Sequence, residues 1–116
     1  MKLTDILLNE YGEFRQQENE LESKVKSALN QDYHLSVSIG VYSGGRSDDD
    51  PLKDKGFGSL SFIEKEDIPE DEFEKAIDII NSSGYEVDIN QSTRLYDYEP
   101  GERDFYPKIK FGFNIN

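Results

Sequence analysis

The last ten residues, Pro107 to Asn116, set Ile109, Phe111, Phe113 and Ile115 alternately with Lys108, Lys110, Gly112 and Asn114. Successive Cβ atoms of a strand point to opposite faces, so strict alternation puts all four apolar side chains on one side. Aromatic and β-branched residues fill such a half-buried surface well. This stretch reads as the central strand of a sheet. Whatever precedes it must then supply neighbouring strands and a cover for the apolar face.

The cover is visible at the N-terminus. Thr4 reads as an N-cap with Asp5 in the first turn, and Leu3 and Leu8 stand at the positions of a hydrophobic staple. Ile6, Leu7, Tyr11 and Phe14 mark a helical face, and Leu21, Val25, Ala28 and Leu29 continue its period. Gly12 and the wholly polar run 15–20 lie between. One helix of about 28 residues, about 42 Å long, is favoured over a break at Gly12. Glycine costs only about 1 kcal/mol relative to alanine inside a helix. A ten-residue strand spans about 33 Å, so the first turns would overhang the sheet and want a partner, such as a second copy of the chain.

Leu35 to Tyr42 alternates with its odd residues inward, and Phe57 to Ile63 follows with Leu60 and Phe62 inward. Residues 43–51 between them read as a long polar hairpin tip. Asp67, Pro69 and Glu70 read as a helix start, with Asp67 as cap and Glu70 closing a capping box. Phe73, Ala76, Ile77 and Ile80 form the buried stripe of that second helix, and Gly84 its left-handed cap. Tyr85, Val87 and Ile89 open a third strand running toward Tyr98, and Pro100-Gly101 turns the chain back.

That last hairpin holds a conflict of parity. Val87, Ile89 and Leu95 want the same face as Phe105, Ile109 and Phe111, yet a two-residue Pro-Gly loop would pair even with odd positions. The conflict predicts a loop with an odd residue count, or a bulge near Asn90-Gln91-Ser92.

The order is αββαββ, an α+β class: a four-stranded antiparallel sheet with two helices on one face. It is the order a circularly permuted ferredoxin-like fold would have, with sheet order 3-4-2-1 and the last strand internal. At 116 residues without cysteine, the chain fits a single domain that needs no staples. It has neither a membrane-span-length apolar run nor a signal-peptide pattern, and the expected location is cytoplasmic.

The formal charge is −12, from 25 acids and 13 bases. Half of the excess sits in residues 64–84, with eight acids and two bases. Glu64, Glu66, Asp67, Glu70, Asp71, Glu72 and Glu74 form its densest part, around a helix start where the dipole favours them. Such a cluster can be a solvated helix face, or a patch that docks on a basic groove by mimicking nucleic-acid phosphates. Asp48, Asp49 and Asp50 are weak candidates for a hard cation, because their spacing is not that of an EF-hand loop.

A second constellation is expected on the open sheet face, where Tyr42, Arg94, Tyr96, Tyr98, Tyr106, Lys108 and Lys110 would stand with His34 and Ser36, Ser38, Ser59 and Ser61. Tyrosines beside cations can stack single-stranded bases or serve as a protein interface. Catalysis has few candidates: one histidine, no cysteine, no nucleophile elbow and no phosphate loop. No cofactor is expected. The leading expectation is a small, acidic, non-enzymatic protein that binds a basic surface on a partner protein. Inhibitors of nucleic-acid enzymes (anti-restriction, anti-CRISPR and nuclease-immunity proteins) share that size and composition. A self-associating assembly subunit that uses the long first helix, and a single-stranded nucleic-acid module on the open sheet, are the other expectations.

Overall fold

The computed structural model describes residues 3–41, 55–101 and 104–114. Helix α1 (Leu3–Ala28) leads into strands β1 (Leu35–Val41) and β2 (Lys55–Phe62). Helix α2 (Glu70–Ser82) leads into β3 (Glu86–Thr93), and the short β4 (Asp97–Tyr98) and β5 (Asp104–Phe105) precede β6 (Lys108–Asn114). The four long strands form an antiparallel sheet in the order β1-β2-β6-β3, while β4 and β5 pair separately as a ribbon. Counting only the long strands, this is the expected 3-4-2-1 order, with the C-terminal strand inside. Ile115 and the expected hairpin tip lie outside the described residues.

The apolar phases of the strands agree across the sheet. Leu60 of β2 faces Val37 of β1 on one side and Ile109 of β6 on the other. Ile39, Leu60, Phe62, Ile109 and Phe111 are buried beneath Leu21 and Val25 of α1 and Phe73, Ala76 and Ile80 of α2. Burying one such large side chain is worth about 1.5–3 kcal/mol, which makes this shared layer the main source of stability. Gly56 and Gly58 also face it. A Cβ at either would run into the rings of Phe113 and Phe111 respectively, so the two glycines make room for the aromatics of the next strand.

Helix α1 passes through Gly12 unbroken for 26 residues. It already includes Leu3, so Thr4 sits in its first turn and not at the cap, a displacement of the usual size for a helix end. The polar run 15–20 has a structural reason. Here α1 passes the outer edge of the sheet, and Glu18 Oε2 accepts the Ile39 N–H at 2.7 Å.

Helix α2 departs from expectation at its start. Its N-cap is Pro69, with no capping side chain, and the Asp67 carboxylate instead accepts the Tyr96 N–H at 2.9 Å. The tertiary contact takes the acceptor that a local box would have used. The other end is as expected. Gly84 has φ +98°, and bonds from Gly84 N to Asn81 O and from Tyr85 N to Ile80 O close a Schellman motif.

The parity conflict is resolved by both devices. Asp88 faces Lys110 and Thr93 faces Lys108, so residues 89–92 bulge out opposite Ile109 alone. The ladder is rebuilt from side chains: Lys110 N donates to Ser92 Oγ, and Ser92 Oγ donates to Asp88 O. In the ribbon Tyr98 faces Asp104, which leaves residues 99–103, an odd count, between them. The inward placement of three apolar residues is corrected. Ile89, Leu95 and Phe105 are 62%, 50% and 37% exposed, because the bulge and the break after Thr93 interrupt the period that would have turned them inward.

Candidate functional site

The seven carboxylates around the start of α2 divide into two groups. Glu64 Oε1 accepts the His34 N–H at 2.8 Å, Asp67 holds Tyr96, and Glu72 Oε1 accepts the Asn30 N–H at 2.9 Å. Glu72 is only 3% exposed, so it belongs to the scaffold and not to a surface patch. Its Oε2 has no hydrogen bond among the described residues and lies 3.9 Å from Lys75 Nζ. Glu66, Glu70, Asp71 and Glu74 are exposed, and none forms a hydrogen bond or ion pair with another described residue. The three hydrogen-bonded carboxylates thus anchor a strip from which four others project.

Tyr33 lies within electrostatic reach of this strip. Burial pushes its hydroxyl above the ordinary tyrosine value, and Glu72, Glu66, Asp71 and Glu64 add to the shift by disfavouring a further negative charge.

The expected sheet-face set does not form one surface. Lys108 and Lys110 lie on the open face, opposite the helices, with Ser61 and Ser59 beside them. Arg94 instead donates to Ile68 O at 3.3 Å, while Ile68 N donates to Arg94 O, which stitches the chain to the loop before α2. Tyr96 and Tyr106 both donate to the Asp104 carboxylate, at 2.8 and 3.2 Å, with their rings 5.9 Å apart. Lys65, from the same loop, reaches Asp104 at 3.8 Å. Partial burial and the Asp104 hydrogen bond push Tyr96 up to about 12. Tyr98, 57% exposed, stands across the ribbon from Asp104. The tyrosines therefore join the neighbourhood of the acidic strip. Asp104, which draws them there, carried no local signal in the sequence. Tyr42, Asp48, Asp49 and Asp50 lie outside the described residues. His34 is exposed at the start of β1, its Nδ1 3.6 Å from Glu64.

The open face carries a feature that sequence reading passed over. A trough of about 1060 Å³ runs over all four long strands, with Phe57, Ser59 and Lys110 among its lining. Phe57 is 40% exposed and faces Gly40 on one side and Gly112 on the other. The parity that turns Leu60 and Phe62 inward turns Phe57 outward, and that signal was present in the chain.

Among the described residues, no cluster of three or more histidine, aspartate or glutamate side chains could hold a metal ion, and no helix is long and apolar enough to cross a membrane. Fold and surface together define an α+β protein with two helices on one side of its sheet, an acidic strip at the second helix start and no described helix over the opposite face. Comparison with protein-family models, with curated proteins and with solved structures finds no match for this chain.

Proposed function

We propose that this protein is a non-enzymatic binding protein that docks on a basic surface of a partner protein through Glu66, Glu70, Asp71 and Glu74. The observation that carries this reading is the anchoring of the strip. Four exposed carboxylates without partners among the described residues project from a segment that Glu64, Asp67 and Glu72 tie to distant backbone N–H groups. A pre-ordered set of charges loses less entropy on binding than a mobile one. Tyr98 on the neighbouring ribbon adds exposed aromatic area of the kind that anchors interfaces. A basic groove that ordinarily holds nucleic acid is the complementary surface, so the reading extends to inhibition of a nucleic-acid enzyme.

The test is capture of a partner by the full chain, washed at rising salt, beside a variant with all four residues changed to lysine. The reading requires a partner that is released at moderate ionic strength and ignored by the variant, and whose nucleic-acid binding falls when the chain is added. A partner retained equally by the lysine variant refutes it.

A second reading rests on the length of α1. The helix runs 26 residues, about 39 Å, against long strands of seven or eight residues that span about 23–26 Å, so it exceeds them by about two turns. Self-association through those turns would make the protein an assembly subunit. Light scattering at rising concentration decides it, a constant monomer mass counting against.

A further inference from the structure

Beneath the acidic strip lie two covered polar atoms, Glu72 Oε2 and Tyr33 Oη, that no described residue satisfies. Each belongs to a side chain only 3% exposed. The rest of both side chains is accounted for. Glu72 Oε1 accepts the Asn30 N–H at 2.9 Å, and the Tyr33 ring packs edge-on against Phe62 with centroids 5.5 Å apart. A covered acceptor without a donor destabilises the fold, and a charged one does so more.

The two atoms belong together. Of the charged groups that act on the Tyr33 hydroxyl, Glu72 is the strongest, followed by Glu66, Asp71 and Glu64. The hydroxyl could donate to Oε2, yet the two do not bond, so the pair can take a donor set between them. Their position is shallow. Glu66 and Asp71 are exposed and still act on the hydroxyl, and Lys75, its side chain 44% exposed, holds Nζ 3.9 Å from Oε2. That distance is beyond hydrogen-bond reach, so the chain's own lysine offsets the charge without bonding the oxygen. Among the described residues no cluster of three or more histidine, aspartate or glutamate side chains could hold a metal ion, so the cation that fits here is an organic one.

We infer that Tyr33 Oη and Glu72 Oε2 together receive one arginine side chain of the basic partner, which enters beside Lys75 and displaces its ammonium. The guanidinium presents five N–H donors in a planar fork, so one donor serves the carboxylate oxygen while a second reaches the phenol oxygen. A lysine ammonium gathers its donors at one point, and with Lys75 alongside both atoms stay unbonded among the described residues. The positive end of the α2 dipole, about half a charge, opposes a cation here. The four carboxylates that act on Tyr33 outweigh it. This inference rests on the acidic-strip reading and adds what the partner must offer, an arginine at the centre of its basic surface.

The experiment is a heteronuclear NMR titration of the full chain with N-acetyl-arginine amide, beside N-acetyl-lysine amide of the same charge. Saturable shifts are expected at the amides of Asn30, Tyr33 and Glu72, with the arginine probe bound about fivefold more tightly than the lysine probe. Tyr33→Phe keeps the ring and should weaken the arginine probe about threefold. The same variant should leave the urea midpoint unchanged or raised, since an unsatisfied hydroxyl is lost with it. A hydroxyl that served folding alone would give the opposite pair of results. Lys75→Ala, which removes the competing ammonium, should tighten the arginine probe. Equal affinities for the two probes, no shifts at the three amides, or arginine binding untouched by either variant overturns the inference. Shifts confined to Glu66, Glu70, Asp71 and Glu74 overturn it too, and leave the strip reading standing. That reading fails separately, when the partner is retained by the lysine variant of the strip.

Discussion

Glu72 and Asn30 lie 42 positions apart, yet Glu72 Oε1 accepts the Asn30 N–H at 2.9 Å and fastens the first turn of α2 to the chain leaving α1. A carboxylate buried at this depth does structural work that the exposed Glu70, Asp71 and Glu74 beside it do not. Glu72→Ala should cost about 2 kcal/mol, the range for losing a hydrogen bond to a charged group. Glu72→Gln keeps an acceptor and should cost less. Urea denaturation midpoints check both, and an alanine variant as stable as the wild type would remove the contact from the account.

The tyrosines give a dependence on alkaline pH. Tyr33, Tyr85 and Tyr96 all have hydroxyls raised above the ordinary value of 10, and Tyr96 reaches about 12. A group whose folded value is raised favours the folded state fully below its unfolded value. That contribution is lost as pH climbs through the folded value. For Tyr96 the window is pH 10 to about 12. Tyrosinate absorbance should show a late-titrating class, and Asp104→Asn should bring one member of it back toward 10.

Glycines on opposite faces of the sheet should respond differently to alanine. At Gly58 a Cβ would lie 2.8 Å from the Ser38 backbone oxygen as well as against Phe111, so the backbone itself must move. Gly58→Ala should cost about 2–3 kcal/mol, as overpacking does. Gly40→Ala meets open space and should change stability by no more than about 0.5 kcal/mol. Thermal unfolding of the pair is the check.

Ser92 is the hydroxyl that rebuilds the ladder at the bulge. Ser92→Ala should cost about 1 kcal/mol and accelerate amide exchange at Lys110. Ser92→Thr, which keeps the hydroxyl, should preserve protection there.

Much of this architecture was legible in the chain. Alternation marks β6 and β1, the 3.6-residue stripe marks α2, and the parity conflict calls for an odd-count loop or a bulge near Asn90-Gln91-Ser92, both of which the structure has. What was not legible had a common physical origin. Asp67, Glu72 and Glu64 serve backbone donors 29, 42 and 30 residues away, and local spacing has no access to such contacts. Asp67 looked like a cap because caps are read from neighbours. Ile89, Leu95 and Phe105 looked inward because period-two reading assumes an uninterrupted ladder. The same assumption puts Tyr96, Tyr98 and Tyr106 on the open face, whereas Tyr96 and Tyr106 gather on Asp104.

Glu18 reaches the Ile39 N–H on one outer strand, and Asn81 Oδ1 accepts the Val87 N–H at 3.2 Å on the other. Each margin of the sheet is therefore stopped at one rung by a side chain lent from a helix. A foreign strand seeking to extend the sheet would first have to evict that side chain. Growth by strand recruitment is disfavoured from both directions, and the helices act as sentries as well as a roof.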